Sequence, residues 1–266
     1  QYQWGQENAS LKVGGTNKGR EKSFDRFGIR RGRIKFTYEE SIASGVFQLD
    51  LTEKGIAFKD AYLNIKDPWI KTNSLRAGIF DRPFGFEISH SSSRRESPER
   101  SIVFQTLFPE ERDLGIMIQL QASKDSPWNI VKLNAGLFAG NGIKQETDSK
   151  KDFIGQLIIH KDLRRNLHIS GGFSYYHGSV YQGTEYVYRI KGNSFIADSN
   201  PDNKGKFAKR EYFGFDMQLS LKSVFGMTQV RGEYLFGQQP GGESGSKSPN
   251  DSELPSTDTY IRTFSR

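Results

Sequence analysis

A transmembrane antiparallel β-barrel, an all-β fold, is what this sequence predicts, and three observations predict it. Apolar and polar residues alternate with period two through segment after segment, as they do on strands with one greasy and one wet face. Short turn-like connections alternate with long polar ones, the layout of barrels with tight turns at one rim and long loops at the other. The chain is also polar, with a mean hydropathy of −0.66, yet holds 20 Phe, 11 Tyr and 3 Trp in 266 residues. Disordered chains are poor in aromatics, so the apolar side chains belong to structure.

The segments follow in order. "QYQWGQ" at 1–6 reads as the end of a strand. "RGRIKFTY" at 31–38 places Arg31, Arg33, Lys35 and Thr37 on one face, with Ile34, Phe36 and Tyr38 on the other. "VFQLDL" (46–51), "DAYLNI" (60–65), "LRAGIF" (75–80), "LGIMIQL" (114–120) and "VKLNAGLF" (131–138) alternate in the same way. So do stretches around 153–159, 167–176, 211–221 and 228–236; in the third, Phe213, Phe215, Met217, Leu219 and Leu221 oppose Gly214, Asp216, Gln218 and Ser220. That makes about ten strands besides the stub, and no segment has a helical period. Turn residues stand at 67–68, 124–129, 161–166 and 222–226, and the long connections are 87–112, 177–210 and 237–258. Aromatics near strand ends, Tyr38, Trp69, Trp128, Tyr175, Tyr176, Tyr212 and Tyr234, fit the girdles that flank a membrane-facing band. A soluble, glycan-binding β-sandwich stays open on these grounds, because its strands also alternate.

Composition excludes several kinds of chemistry. With no cysteine, disulfides, thiolate metal sites and cysteine nucleophiles are absent. There are 38 Lys+Arg against 31 Asp+Glu, a net charge of +7, which favours anionic partners. No apolar run approaches the roughly 18 residues of a membrane helix, and the sequence begins without a signal peptide, as a mature or partial chain does. His90, His160, His168 and His177 have no metal-ligand spacing. No nucleophile elbow or phosphate loop occurs, so neither an enzyme nor a cofactor is expected. The cations alternate with apolar residues on strands instead of clustering with stacking aromatics, which argues against nucleic acid. "DSNPDNKG" at 198–205 offers Asp198, Asn200 and Asp202 at alternate places, as a calcium loop does; its glycine comes two residues late, and Lys209 stands at the twelfth position.

Several segments, in order, resemble the phosphate-selective porin O/P family of outer-membrane channels: "FGIRRGRIKFTY", "LRAGIFDRPFGFE" with its Pro83-Phe84-Gly85 core, "SPERSIVFQTLFPEERDLGI", and "GLFAGNG" followed by "KDFIGQL". The likeness runs through most of residues 1–236 and has the style of a Bacteroidota-like member. It implies a bacterial outer-membrane location and a sixteen-stranded barrel, often a homotrimer. The chain departs from it in length and ends on "YIRTFSR" without a terminal aromatic. The expectation is a single barrel domain over 1–266, incomplete at its ends, whose open edges need further strands, since unpaired backbone in lipid costs several kcal/mol per group.

The resemblance and the alternation together give the expected function: a porin for passive diffusion of small anionic, phosphate-like or polar solutes. Arg31, Arg33 and Lys35, about 6.6–7 Å apart along a strand, form a ladder facing a watery lumen, joined by Arg76 and Lys132. Rows of cations favour anion passage, and arginine's planar fork suits oxyanions. The plainer role is pairing with Asp50, Asp60 or Glu39 on neighbouring strands. The 87–112 loop, with Arg94, Arg95, Glu99, Arg100 and Arg112, is the expected constriction; its mixed charge equally suits internal salt bridges that hold it in place. The expected partners are outer-membrane lipid and small anions. A barrel with a plugged lumen that serves another outer-membrane complex is the alternative.

Overall fold

The computed structural model describes residues 2–6, 23–27, 32–52, 55–91, 95, 97, 99–144, 146, 148–243, 245 and 257–266. Strands β1 (Tyr2–Gln6) and β2 (Ser23–Phe27) pair as a separate two-stranded sheet. Thirteen further strands form one large sheet that does not close on itself. In chain order these are β3 (Gly32–Glu40), β4 (Ala43–Thr52), β5 (Gly55–Lys66), β6 (Ser74–Asp81), β7 (Arg112–Gln121), β8 (Val131–Phe138), β9 (Asp152–Arg164), β10 (Leu167–Tyr181), β11 (Tyr186–Lys191), β12 (Ser194–Ser199), β13 (Phe207–Ser223), β14 (Gly226–Gly241) and β15 (Thr259–Ser265). Neighbours run up and down, antiparallel, from β3 to β10 and on through β13, β14 and β15. The β11–β12 hairpin, turning at Gly192 (φ +64°), adds to the far side of β15 through a parallel β11–β15 pair.

Up-and-down connectivity sorts the connections by rim. Residues 41–42, 67–73, 122–130, 165–166 and 224–225 turn at one rim, while the strand ends joined by the connections numbered 82–111, 139–151, 182–206 and 242–258 lie at the other. The three expected long loops therefore share a rim; the second and third are shorter than expected, because β10, β13 and β14 extend further into them, while the first begins earlier, directly after β6.

Facing the outside is an apolar surface. Leu120, Leu133, Leu157, Phe173, Phe215 and Tyr234 stand side by side across six strands, each 37–51% exposed. Ile34, Phe36, Leu63, Ile116 and Ile118 share that face and are exposed too. A sandwich would cover this surface with a second sheet. Here the described residues leave it bare, which suits lipid and not the covered face of a sandwich.

The buried apolar cluster sits on the opposite face. Phe80, Met117, Phe138, Ile154, Tyr176, Tyr212 and Leu235 point inward, and Phe84, Ile88, Phe104, Leu107 and Phe108 of the 82–111 loop pack down on them. Phe108 lies 5.9 Å from Tyr176 and 5.6 Å from Tyr212, centroid to centroid. Contacts of this kind contribute beyond their burial and hold the loop against the wall.

Several expectations need correcting. Tyr176 and Tyr212 are fully buried beneath the loop, so they belong to no girdle; one residue along a strand reverses the face, and Tyr175 next door points outward. A helix does form, α1 (Ile102–Leu107), capped by the Ser101 hydroxyl and burying Phe104 and Leu107. Six residues are too few to show a period. Among the described residues fifteen strands replace about ten and a stub, because β2, β11, β12 and β15, of 5–7 residues, are too short to establish an alternation.

Candidate functional site: the charged inner face and its loop

The ladder is half visible. Arg31 lies outside the described residues. Arg33 and Lys35 are on the inner face, in register with Asp50 and Gln48 of β4. Arg33 Nε donates to Asp50 at 2.7 Å, as the plainer reading expected. Lys35 is exposed and forms no ion pair among the described residues. Asp50 also meets Lys59 at 3.6 Å. Lys59 is the extra residue of a β-bulge: Gln48 pairs with Asp60, and Leu49 pairs with Phe58. A bulge re-aims side chains, and here both Lys59 and Asp60 reach inner-face charges.

From Lys59 the network crosses to the loop. Glu111 takes Lys59 at 3.6 Å and also pairs with Arg100 and Arg112. Arg112 Nε donates to Asp60 at 3.0 Å. Burial pushes the Glu111 carboxyl up, but the hydrogen bond from Arg100 and the charges of Lys59, Arg100 and Arg112 outweigh it and hold the group at about 2. Arg33, Lys59, Arg100 and Arg112 thus join Asp50, Asp60 and Glu111 in one chain of charges, with one cation in excess.

The first turn of the loop explains the Pro83-Phe84-Gly85 motif. Phe84 is fully buried. Gly85 has φ +59°, and a Cβ there would fall 1.7 Å from Glu233 Oε1, so only glycine fits. Its N–H donates to Ser174 Oγ at 2.9 Å, and its carbonyl accepts from Gln156 Nε2 at 2.7 Å. Phe86 N–H donates to Glu233 Oε1 at 3.3 Å. Three strands therefore grip two successive residues.

Two buried ion pairs finish the anchorage. Arg82 Nε donates to Asp113 at 3.0 Å. Arg210 donates to Tyr212 Oη, to the Gly140 carbonyl, to Asp152 Oδ2 and to the Leu107 carbonyl, at 2.8–3.5 Å. One guanidinium thus ties the end of α1 and the 139–151 loop to the wall.

The remaining expected residues divide. Arg94 lies outside the described residues. Arg95, Glu99 and Arg100 line a cleft of about 540 Å³ between the loop and β14, with Arg231 opposite. Arg112 is the first residue of β7 and not part of the loop. Arg76 and Lys132 face inward and line a second cavity. Asp198, Asn200 and Asp202 do not gather as a metal site: Asn200 Oδ1 accepts from Asp202 N–H at 2.9 Å, and no three Asp, Glu or His side chains converge among the described residues.

Sequence reading missed Lys59, Arg82, Asp113, Asp152, Arg210 and Glu233. Arg210 shares inner parity with Tyr212, Gly214 and Asp216, so extending that strand two residues earlier would have found it. Lys59 has no such signal, because the bulge shifts the phase.

Among known families, the one described as phosphate-selective porin O and P matches residues 5–160. That stretch holds the ladder strand, the Pro-Phe-Gly turn, α1 and the start of β7. No curated protein matches the chain.

Proposed function

We propose, because the chain belongs to the phosphate-selective porin O and P family, that this outer-membrane porin is a passive channel for small anionic or polar solutes, guided by Arg31, Arg33, Lys35, Arg76 and Lys132. The observation that carries this reading is the division of the sheet. Its outer face is apolar and exposed, while the inner face holds a connected run of charges with cations in excess, and beside it Lys35 makes no ion pair among the described residues. Partly exposed cations concentrate anions without trapping them, since solvent screens each contact. No bond is made or broken; passage follows the gradient.

The 82–111 loop supplies the narrowing in this reading. Phe84, Phe104 and Phe108 are spent on the wall, so Arg95, Glu99 and Phe86, which line the cleft beside the loop, are what a passing solute meets.

Reversal potentials across a KCl gradient in planar bilayers test the proposal. The wild type should prefer anions at about 0.1 M salt. Replacing Arg31, Arg33 and Lys35 together by Gln should lower the preference without unfolding the barrel, because water-facing side chains leave no dry cavity. The preference should fade near 1 M, where the Debye length is about 3 Å. A wild-type pore that prefers cations overturns the anion reading.

A further inference from the structure

Beneath the Gly85 turn lies a cavity of about 210 Å³, walled by the loop's first residues and by inner-face side chains of β6, β7, β8, β9 and β13. At about 30 Å³ per water, that is space for roughly seven waters. We infer that it binds a hydroxylated organic anion of monosaccharide size, a sugar acid, on its way through the pore. The inference deepens the channel reading above and rests on it.

The cationic end comes first. Arg76 lies over the Tyr62 ring at 4.6 Å and the Phe80 ring at 5.4 Å, which fixes its guanidinium. Its Nε is buried and has no hydrogen-bond partner. Lys132 lines the same cavity and makes no ion pair among the described residues. A fixed guanidinium beside an ammonium calls for an oxyanion.

The rest of the lining calls for something else. Asn134 is only 6% exposed. Its amide nitrogen donates to Gln156 Oε1 at 3.1 Å, which leaves Oδ1 with no donor. Asp216 and Asp81 add carboxylates to the lining. A buried acceptor left unmet is costly, so a fitting occupant brings donors as well as negative charge.

Those two demands narrow the class. Sulfate answers the cations, but brings no donor to Asn134 or Asp216 and more negative charge than a carboxylate against Asp81 and Asp216. A neutral sugar answers the acceptors and leaves Arg76 and Lys132 unmet. A hydroxylated carboxylate serves both, with its carboxylate at Arg76 and Lys132 and its hydroxyls donating to Asn134 and Asp216. Phe86 provides an apolar side for the ring's C–H face.

Glucuronate is the probe, compared with glucose and sulfate, using the whole protein in planar bilayers at low KCl. Glucuronate should interrupt the current at lower concentration than either of the others. Arg76→Gln with Lys132→Gln should raise its half-blocking concentration at least tenfold, and Asn134→Ala severalfold. Equal block by sulfate, equal block by glucose, or an unchanged double variant overturns the inference. Equilibrium binding of glucuronate to the detergent-solubilised protein separates the two readings. A cation-preferring pore that binds glucuronate through Arg76 and Lys132 sinks only the anion channel. An anion-preferring pore that binds none sinks only the sugar-acid site.

Discussion

On β7, β9 and β13 and at the start of the long loop, the pairs Arg82–Asp113 and Arg210–Asp152 are shut away from water, with side chains at most 3% exposed. On β3, β4, β5 and the first residue of β7, the pairs Arg33–Asp50, Lys59–Asp50 and Arg112–Asp60 keep 13–26% of each side chain in solvent. The residue types are the same and the faces are continuous. In the first region each arginine is also committed to structure: Arg210 to two backbone carbonyls, Arg82 to the root of the loop. In the second, water competes for every bond. Buried charges hold the loop in place, and the partly exposed ones keep contact with water, as the proposed channel requires.

The sharpest way to break that comparison is to remove one arginine from each region. Arg210→Met leaves Asp152 buried without its partner and frees the Leu107 and Gly140 carbonyls. Breaking a buried pair in this way costs roughly 3–5 kcal/mol. Arg33→Gln should cost about 1 kcal/mol or less. Urea unfolding of the detergent-solubilised protein measures both. Equal costs would mean that burial does not divide the two regions.

Much of the large sheet's main antiparallel run was legible in the sequence, because period-two alternation is a direct image of a two-faced strand. Ile116, Ile118, Leu133 and Phe215 are outward as that alternation requires. The short strands β11, β12 and β15 were not legible, because six or seven residues are too few to show an alternation and pairing with a neighbour defines them. The site was legible only in part. Arg33, Lys35, Arg76 and Lys132 follow parity to the inner face. The anchorage does not, because Phe84, Phe104 and Phe108 sit in a loop without periodicity and meet Tyr176 and Tyr212 from far away in the chain. Arg100 looked like a filter residue; its partners Glu111 and the Ile88 carbonyl make it a strut, which no local pattern announces.

A smaller effect sharpens the border between the regions, where Glu111 joins loop to wall. Its carboxyl is held at about 2, against an ordinary value of 4.5. A depressed folded value means that the ionised form stabilises the fold. That contribution is present above about pH 4.5 and is lost as pH falls through about 2. Glu111→Gln should therefore be less stable than the wild type at pH 6, with the gap closing between pH 4.5 and 2. Protease nicking of the loop, read against pH for both proteins, measures the gap. A gap of constant size across that range would show that Glu111 contributes through shape and not through charge.

The smallest effect expected is also the one nearest to function. Asp50 holds both Arg33, at 2.7 Å, and Lys59, at 3.6 Å, so it offsets the charge of two cations on the inner face, which the proposed channel would expose to solutes. Asp50→Asn removes one negative charge and releases both. Exposed pairs of this kind contribute about 0.2–1 kcal/mol, so stability should hardly move. The anion-over-cation permeability ratio at about 0.1 M salt should rise, by about fivefold at most if 1 kcal/mol is the limit. The rise should disappear near 1 M salt, where charges more than about 3 Å apart are screened. Asp152→Asn draws the contrast: Arg210 stays sealed under the loop, so the change should register as lost stability and leave selectivity alone. If Asp50→Asn leaves the ratio unchanged at low salt, Arg33 and Lys59 do not border the ion path, and the partly exposed region is a brace like the buried one.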